Sequence, residues 1–370
     1  MSVDHVIAAD YKKNDYDKEK EILDYIKDYS PPYTFVPWGY WTAKGRWSVL
    51  SRADDTHSIA EIDQESRDNV HHFDPYIDYI SGMVIGEDLT YPEDFNYEKF
   101  CTVYDAVNEE TSSAIDLVAS VGIKNITDNY LQKIWSSSKG LVMVCHYAWG
   151  VNFTVQQSVE SFTSHWRKAA DRKKELNGGR WVGLHDSYDD PGANLEFPDR
   201  EELLLTVIGP LAHGAIGSAL WVFDYNDDPR PQEEKVTDLF ETTQQRRDNV
   251  ANAFNRLNQL EGYLTGYSYE GYGESPSTFP PGADHLKNIG TEQPEWLNMF
   301  NVGFFAKTGD WEGYMICSRN PDVDRAVTCQ FNYECEVKLD GVSKGQMSQI
   351  TIDFPRGDAR FLELQKVYQY

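Results

Sequence analysis

Positive charge is scarce in this chain of 370 residues: 34 Lys and Arg stand against 60 Asp and Glu, a formal net charge of -26. Such a field repels nucleic acids, phosphate-rich polymers and anionic membrane surfaces, so none of these is expected as a partner. Uncharged ligands remain open, and solubility in a secreted or salt-exposed setting accounts for the acidity without any site. Long apolar runs are missing too. No stretch reaches the roughly 20 residues that span a bilayer and no signal-peptide pattern opens the chain, so membrane insertion is not expected. Cysteine is sparse: Cys101, Cys145, Cys317, Cys329 and Cys335 form no metal-type pair of pairs, and an odd count leaves at least one thiol unpaired. Cys317 and Cys329 fall on what read as neighbouring strands, where one disulfide or two buried thiols both fit.

Several signatures of known chemistry are absent as well. No Gly-rich phosphate turn follows the first predicted strand, residues 3–10, which argues against a doubly wound dinucleotide fold. There is no His-Glu-x-x-His or Cys-x-x-Cys spacing; His71 and His72 are adjacent, and His146 and His185 stand alone. No Gly-x-Ser-x-Gly elbow presents a serine nucleophile. Neither a metal nor an organic cofactor is expected. The triplets Asn125-Ile126-Thr127 and Asn152-Phe153-Thr154 match the glycosylation sequon, a pattern that also arises by chance.

Aromatic residues, by contrast, are plentiful at 14%, with 23 Tyr and 10 Trp. A surplus of this kind favours sugar binding or an interface, with core filling as the competing role for any one of them. The central stretch is residues 80–89, Ile-Ser-Gly-Met-Val-Ile-Gly-Glu-Asp-Leu, an apolar run that stops at Glu87 and Asp88. A parallel barrel strand whose C-terminal end opens into a site has this form. Residues 140–149, 180–186 and 215–225 repeat it and end in His146, Tyr147 and Trp149, in His185 and Asp186, and in Trp221, Asp224 and Tyr225.

Seven such strands alternate with helical stripes, the first at residues 3–10, ending in Asp10, and the second at 33–41, carrying Trp38, Tyr40 and Trp41. The helices are expected over 17–29, 64–79, 97–109, 126–135, 155–176 and 201–213, the last capped by Asp199. This rhythm predicts an α/β fold, a (β/α)₈ TIM-type barrel over residues 1–262. One strand is wanting: it is either hidden in the loop after Trp41, or the chain starts inside the pattern. A long helix over 236–260 and a Gly-, Pro- and Ser-rich loop over 271–290 lead into short alternating strands, which make residues 263–370 a C-terminal antiparallel β-sandwich.

The strand ends at Glu87-Asp88, His146-Tyr147, His185-Asp186 and Trp221-Val222-Phe223-Asp224-Tyr225, followed by a sandwich ending in Phe354-Pro355-Arg356-Gly357-Asp358, resemble the barrel glycoside hydrolases with a C-terminal β-sandwich. The resemblance spans most of the chain and singles out no one family. It implies a retaining enzyme whose acid/base follows the fourth strand, the place taken by Gly86-Glu87-Asp88-Leu89, and whose nucleophile follows the seventh, the place taken by Asp186. In that family pattern the dipeptide is Asp-Glu or Asn-Glu before Pro, so the order here is reversed and Leu89 replaces the proline.

Glycoside cleavage needs two carboxyl groups across a sugar ring, one protonated and one ionised. Adjacent strand residues point oppositely, so Glu87 and Asp88 cannot both serve; Glu87 reaches further and is assigned the acid/base role, with Asp88 the fallback. Asp186 is the expected nucleophile, Tyr147 its hydrogen-bond partner, and Asp224 and His185 the rivals. Trp38, Tyr40, Trp41, His146, Trp149, Trp221 and Tyr225 complete the expected carbohydrate-binding rim. Two functions follow: a glycoside hydrolase acting on an oligo- or polysaccharide, or a non-catalytic carbohydrate-binding or structural protein of an extracellular surface or filament. Either setting is extracellular or cell-surface, and self-association is left open.

Overall fold

The computed structural model of the chain describes residues 5–8, 23–28, 34–37, 50–86, 89, 92–146, 149, 152–186, 197–221, 243–275, 282–290 and 300–367. Strand β1 (His5–Ala8) pairs in parallel with β2 (Thr34–Pro37). Residues 23–28 between them are helical. Thr34 donates its hydroxyl to Ser81 Oγ at 2.8 Å, and β2 runs beside β3 (Gly82–Gly86). The loop after Trp41, where a hidden strand was one alternative, lies outside the described residues up to position 49; among the described strands, counting from β1, the Glu87 strand is the third.

Helix α1 (Ile59–His71) joins these strands, starting at Ser58. Ser58 accepts from Glu61 N while the Glu61 carboxylate returns to Ser58 N at 2.9 Å, a reciprocal cap that begins the helix ahead of the expected residue 64. Pro75 then turns residues Asp74–Tyr79 into a separate 3₁₀ segment. After β3 come α2 (Tyr97–Glu110), β4 (Asp116–Val121), α3 (Asp128–Ile134), β5 (Gly140–Cys145), α4 (Val155–Glu175), β6 (Arg180–Asp186), α5 (Arg200–Ile208) and β7 (Ser218–Trp221). Asp199 caps α5 as expected, with Glu202 completing the box. Pro210 ends that helix at Ile208 and diverts Gly209–His213 into a 3₁₀ turn. Strands β3 to β7 form a five-stranded parallel sheet in sequence order, flanked by helices. Every strand expected before residue 225 is present in order, and the barrel is not closed among the described residues.

Helix α6 (Gln244–Tyr263) leads to antiparallel strands β8 (Ser268–Ser275), β9 (Leu286–Gly290), β10 (Phe300–Lys307), β11 (Trp311–Ser318), β12 (Arg325–Leu339), β13 (Val342–Phe354) and β14 (Ala359–Lys366). The order is β13-β12-β14-β11-β10-β8, with β9 on β12. Residues from β9 through β14 bury one core that includes Phe300, Tyr314, Ile316, Cys329, Val337, Phe354 and Leu364. The glycine-rich stretch expected as a loop corrects to β8, β9 and a connection. Tyr269, Tyr272 and Gly273 pair with β10, and the ladder with its neighbour outweighs the glycines' low strand preference.

All five cysteines are free. Cys329 joins the sandwich core beside Ile316, while Cys317, one residue after Ile316, points to the other face of β11; opposed directions forbid a bridge.

The chain falls into two compact units, one of residues 2–146 and 171–184, the other of residues 1, 147–170 and 185–370. No helix among the described residues is long and apolar enough to cross a membrane.

Candidate active site

The registers of β3 to β6 decide which side chains can meet above the sheet. In parallel strands, paired residues point the same way and neighbours along a strand point oppositely. Leu117 pairs with Gly140, Ala119 with Val142, and Val142 with Trp181. These belong to the helix-covered face. A Cβ on Gly140 would lie 1.7 Å from the Ile134 carbonyl oxygen, so only glycine lets α3 approach there. The inner face carries Val118, Ser120, Met143, Cys145, Val182 and Leu184.

On β3 the count slips by one. Val84 pairs with Val118, yet Gly86 pairs with Ala119, so Ile85 is an inserted residue. Without it Gly86 would share the inner face with Val84. With it Gly86 turns to the helices, and a Cβ there would meet Leu89 at 3.0 Å and Phe100 of α2 at 3.3 Å. A bulge beside the end of a barrel strand commonly re-aims the residues that follow it.

Near the C-terminal ends of β4 and β5, Ser120 Oγ and Cys145 Sγ lie 2.9 Å apart on the inner face. Ser120 is buried and Cys145 half-buried. These two polar groups were absent from the expected site. Cysteine pattern alone marked Cys145 only as a thiol, and nothing local distinguishes Ser120. His146 is half-buried, and its backbone N–H donates to Leu184 O at 3.2 Å, extending the β5–β6 ladder.

Three of the expected residues, His146, Trp149 and His185, have defined surroundings, and the last two pack on one ring. The Phe162 ring of α4 lies 5.6 Å from Trp149 and 5.5 Å from His185, and Trp166 meets His185 edge-on at 6.4 Å. His185 is 1% exposed and Trp149 4%. Both therefore fill an apolar layer rather than stand open to a ligand. Neither His185 ring nitrogen has a hydrogen-bond partner among the described residues, and burial lowers its pKa to about 3, keeping the imidazole neutral. His213, packed at a tilt between Trp166 and Tyr272 at 5.8 and 5.0 Å, is lowered to about 3 chiefly by the same burial. Asp186 and Trp221 are described only in their backbone, at the last positions of β6 and β7. Asp10, Trp38, Tyr40, Trp41, Glu87, Asp88, Tyr147, Asp224 and Tyr225 lie outside the described residues. No group of three or more His, Cys, Asp or Glu side chains suited to a metal occurs among the described residues.

No protein-family model matches the chain, and no curated protein matches it in sequence. Solved structures do match in shape. A glycoside hydrolase of family 5 from Bacteroides vulgatus superposes with a TM-score of 0.54 at 11% identity, over 97% of this chain and 75% of that one. A family 27 β-L-arabinopyranosidase from Geobacillus stearothermophilus, solved with arabinose, gives 0.52 at 8% identity, over 94% and 78%. The chain has the fold of the barrel glycoside hydrolases with a C-terminal β-sandwich, without assignment to any one of their families.

Proposed function

We propose that the protein is a glycoside hydrolase that cleaves an oligo- or polysaccharide with Glu87 as acid/base and Asp186 as nucleophile. What supports this reading is the likeness in fold to barrel glycoside hydrolases, together with the polar pair Ser120 and Cys145 near the C-terminal ends of β4 and β5. Gly86, the last residue of β3, turns to the helices because Ile85 is inserted, and Glu87 follows it in the sequence. His185 packs on Phe162 of α4, and Asp186 follows it as the last residue of β6. Tyr147, two residues after Cys145, is the proposed hydrogen-bond partner of the nucleophile. Asp88 serves as the lesser candidate, and Asp224 remains the rival carboxylate.

In this mechanism Glu87 protonates the departing glycosidic oxygen while Asp186 attacks the anomeric carbon, and water activated by Glu87 then releases the sugar. Carboxyl groups roughly 5–5.5 Å apart suit that route, whereas about 6.5–9.5 Å suits direct water attack with inversion. Trp38, Tyr40 and Trp41 after β2, with Trp221 and Tyr225, supply stacking surfaces for sugar rings. An extracellular or cell-surface setting accords with a carbohydrate substrate and with the acidity of the chain.

The test is a panel of chromogenic glycosides and natural polysaccharides assayed with the unmodified protein, Glu87→Gln and Asp186→Asn. Asp186→Asn should lose activity with the fold intact, and Glu87→Gln should lose most on poor leaving groups, which need the proton. Full activity in both variants removes these residues from the mechanism. An inactive parent that still binds sugar establishes the non-catalytic carbohydrate-binding protein instead.

A further inference from the structure

A cleft lined by both polar and apolar residues lies within the unit that holds the sandwich. It measures about 360 Å³ and is walled by Arg200 and Glu201 of α5, Asn249, Asn252 and Arg256 of α6, and the segments containing Asp324 and Arg356. Its back is fixed. Arg256 Nε donates to Asp358 at 2.8 Å and its Nη2 to Ala359 O at 2.6 Å. Gly357 (φ +63°) presses the turn against α5 so closely that a Cβ would sit 2.3 Å from Glu201 O.

Other lining groups are held less firmly, although Asp324 accepts the Arg356 backbone N–H at 3.0 Å. The Arg356 guanidinium stands 3.5 Å from Glu201 and 3.8 Å from Asp324, ion-pair distances beyond those of charge-assisted hydrogen bonds. Arg200 is exposed and has no ion-pair partner among the described residues; the side-chain amides of Asn249 and Asn252 likewise have no described partner. The lining thus combines planar donors and acceptors with the apolar side chains of Leu204, Ala253 and Pro355.

We propose that this cleft binds a neutral saccharide, separately from the strand ends of the barrel. Sugar hydroxyls both donate and accept, and they suit guanidinium, amide and carboxylate groups set side by side, while the apolar side chains take the C–H face of a ring. An anionic ligand is disfavoured. The three arginines are matched by Glu201, Asp324 and Asp358, and the whole chain carries -26. With no aromatic side chain in the lining, affinity rests on hydrogen bonds and is expected to be weak.

The test uses the full chain carrying Glu87→Gln and Asp186→Asn, so that no probe is consumed. Cellohexaose, xylohexaose, maltohexaose and trigalacturonate are titrated and followed by saturation-transfer NMR and calorimetry. At least one neutral hexasaccharide should bind, and adding Arg356→Ala or Asn252→Ala should weaken it by about tenfold or more at an unchanged melting temperature. Arg200→Ala supplies an exposed third variant if either of these fails to fold. Absence of binding by every neutral probe overturns the proposal. So does binding that the cleft variants leave unaltered, or binding of trigalacturonate alone. Inactivity of the unmodified protein on glycosides bears only on the barrel reading and leaves this test intact.

Discussion

Arg180 and Asp116 face each other as two parallel forks, Nη1 to Oδ1 at 2.5 Å and Nη2 to Oδ2 at 2.9 Å. They begin β6 and β4, so the pair spans the start of β5, at the end of the sheet opposite to the proposed chemistry. Conservation of charge in Arg180→Lys would not conserve this geometry, because an ammonium cannot make the bidentate pair. Both side chains are partly exposed, so the expected loss for Arg180→Lys or Asp116→Asn is modest, about 1 kcal/mol. Urea denaturation should show it as a lowered midpoint, with saccharide binding unaffected.

Lys139 should matter more. Its ammonium is buried and donates to Asn108 O at 2.6 Å, Thr111 O at 2.9 Å and Thr111 Oγ1 at 3.0 Å, closing the C-terminus of α2. Burial lowers its pKa, yet every donor is used. Lys139→Met leaves those carbonyls buried and unsatisfied, and the expected cost is about 2–3 kcal/mol, measured as the same midpoint shift.

Acid should weaken the protein before its carboxylates titrate fully. His185 and His213 have folded pKa values of about 3 against an ordinary 6.5, so as pH falls below 6.5 the unfolded chain takes up protons that the folded one refuses. Stability is complete above that value and declines from about pH 6.5 towards 3, by up to about 1.4 kcal/mol per pH unit for each histidine. Unfolding measured between pH 7 and 4.5 should show this slope, and His185→Phe should remove one histidine's share. A slope unchanged by that substitution would mean that His185 is protonated in the folded protein.

Thiol labelling offers a map of the inner face. Cys101 and Cys145 are half-buried, whereas Cys317, Cys329 and Cys335 are buried, and burial pushes Cys329 up to about 12 and Cys335 up to about 11. Brief treatment of the native protein with N-ethylmaleimide should modify only Cys101 and Cys145, as read by mass spectrometry. If the inner face receives the substrate, an oligosaccharide that binds there should protect Cys145 and leave Cys101 reactive. Equal labelling of both with saccharide present counts against that face.

The order of β1 to β7 could be read from the chain because each strand is an apolar run closed by polar or aromatic residues, a purely local signature. Asp199 and the stripe on α4 were legible for the same reason. The strand phase was not. Which face Gly86 takes depends on Ile85 having no partner in β4, a property of pairing between strands that no window of sequence contains. His185 looked like a rim residue by its position, but a strand end has two sides, and the side His185 takes is set by Phe162 and Trp166, about 20 residues earlier. Strand β8 was hidden by its glycines, which lower local preference yet do not prevent a ladder with β10.

The interleaving of the two compact units bears on inheritance. Helix α4 and strand β6 each begin in one unit and end in the other, the changes falling between Ala170 and Asp171 and between Leu184 and His185. A single genetic crossover, which exchanges everything on one side of a point, therefore cannot transfer either unit whole. Homologous recombination with a distant relative would have to exchange residues 147–170 and 185–370 together to keep one unit's partners in step. The chain is expected to drift as one linked block, and chimeras joined at a single site should fold less well than those joined at three.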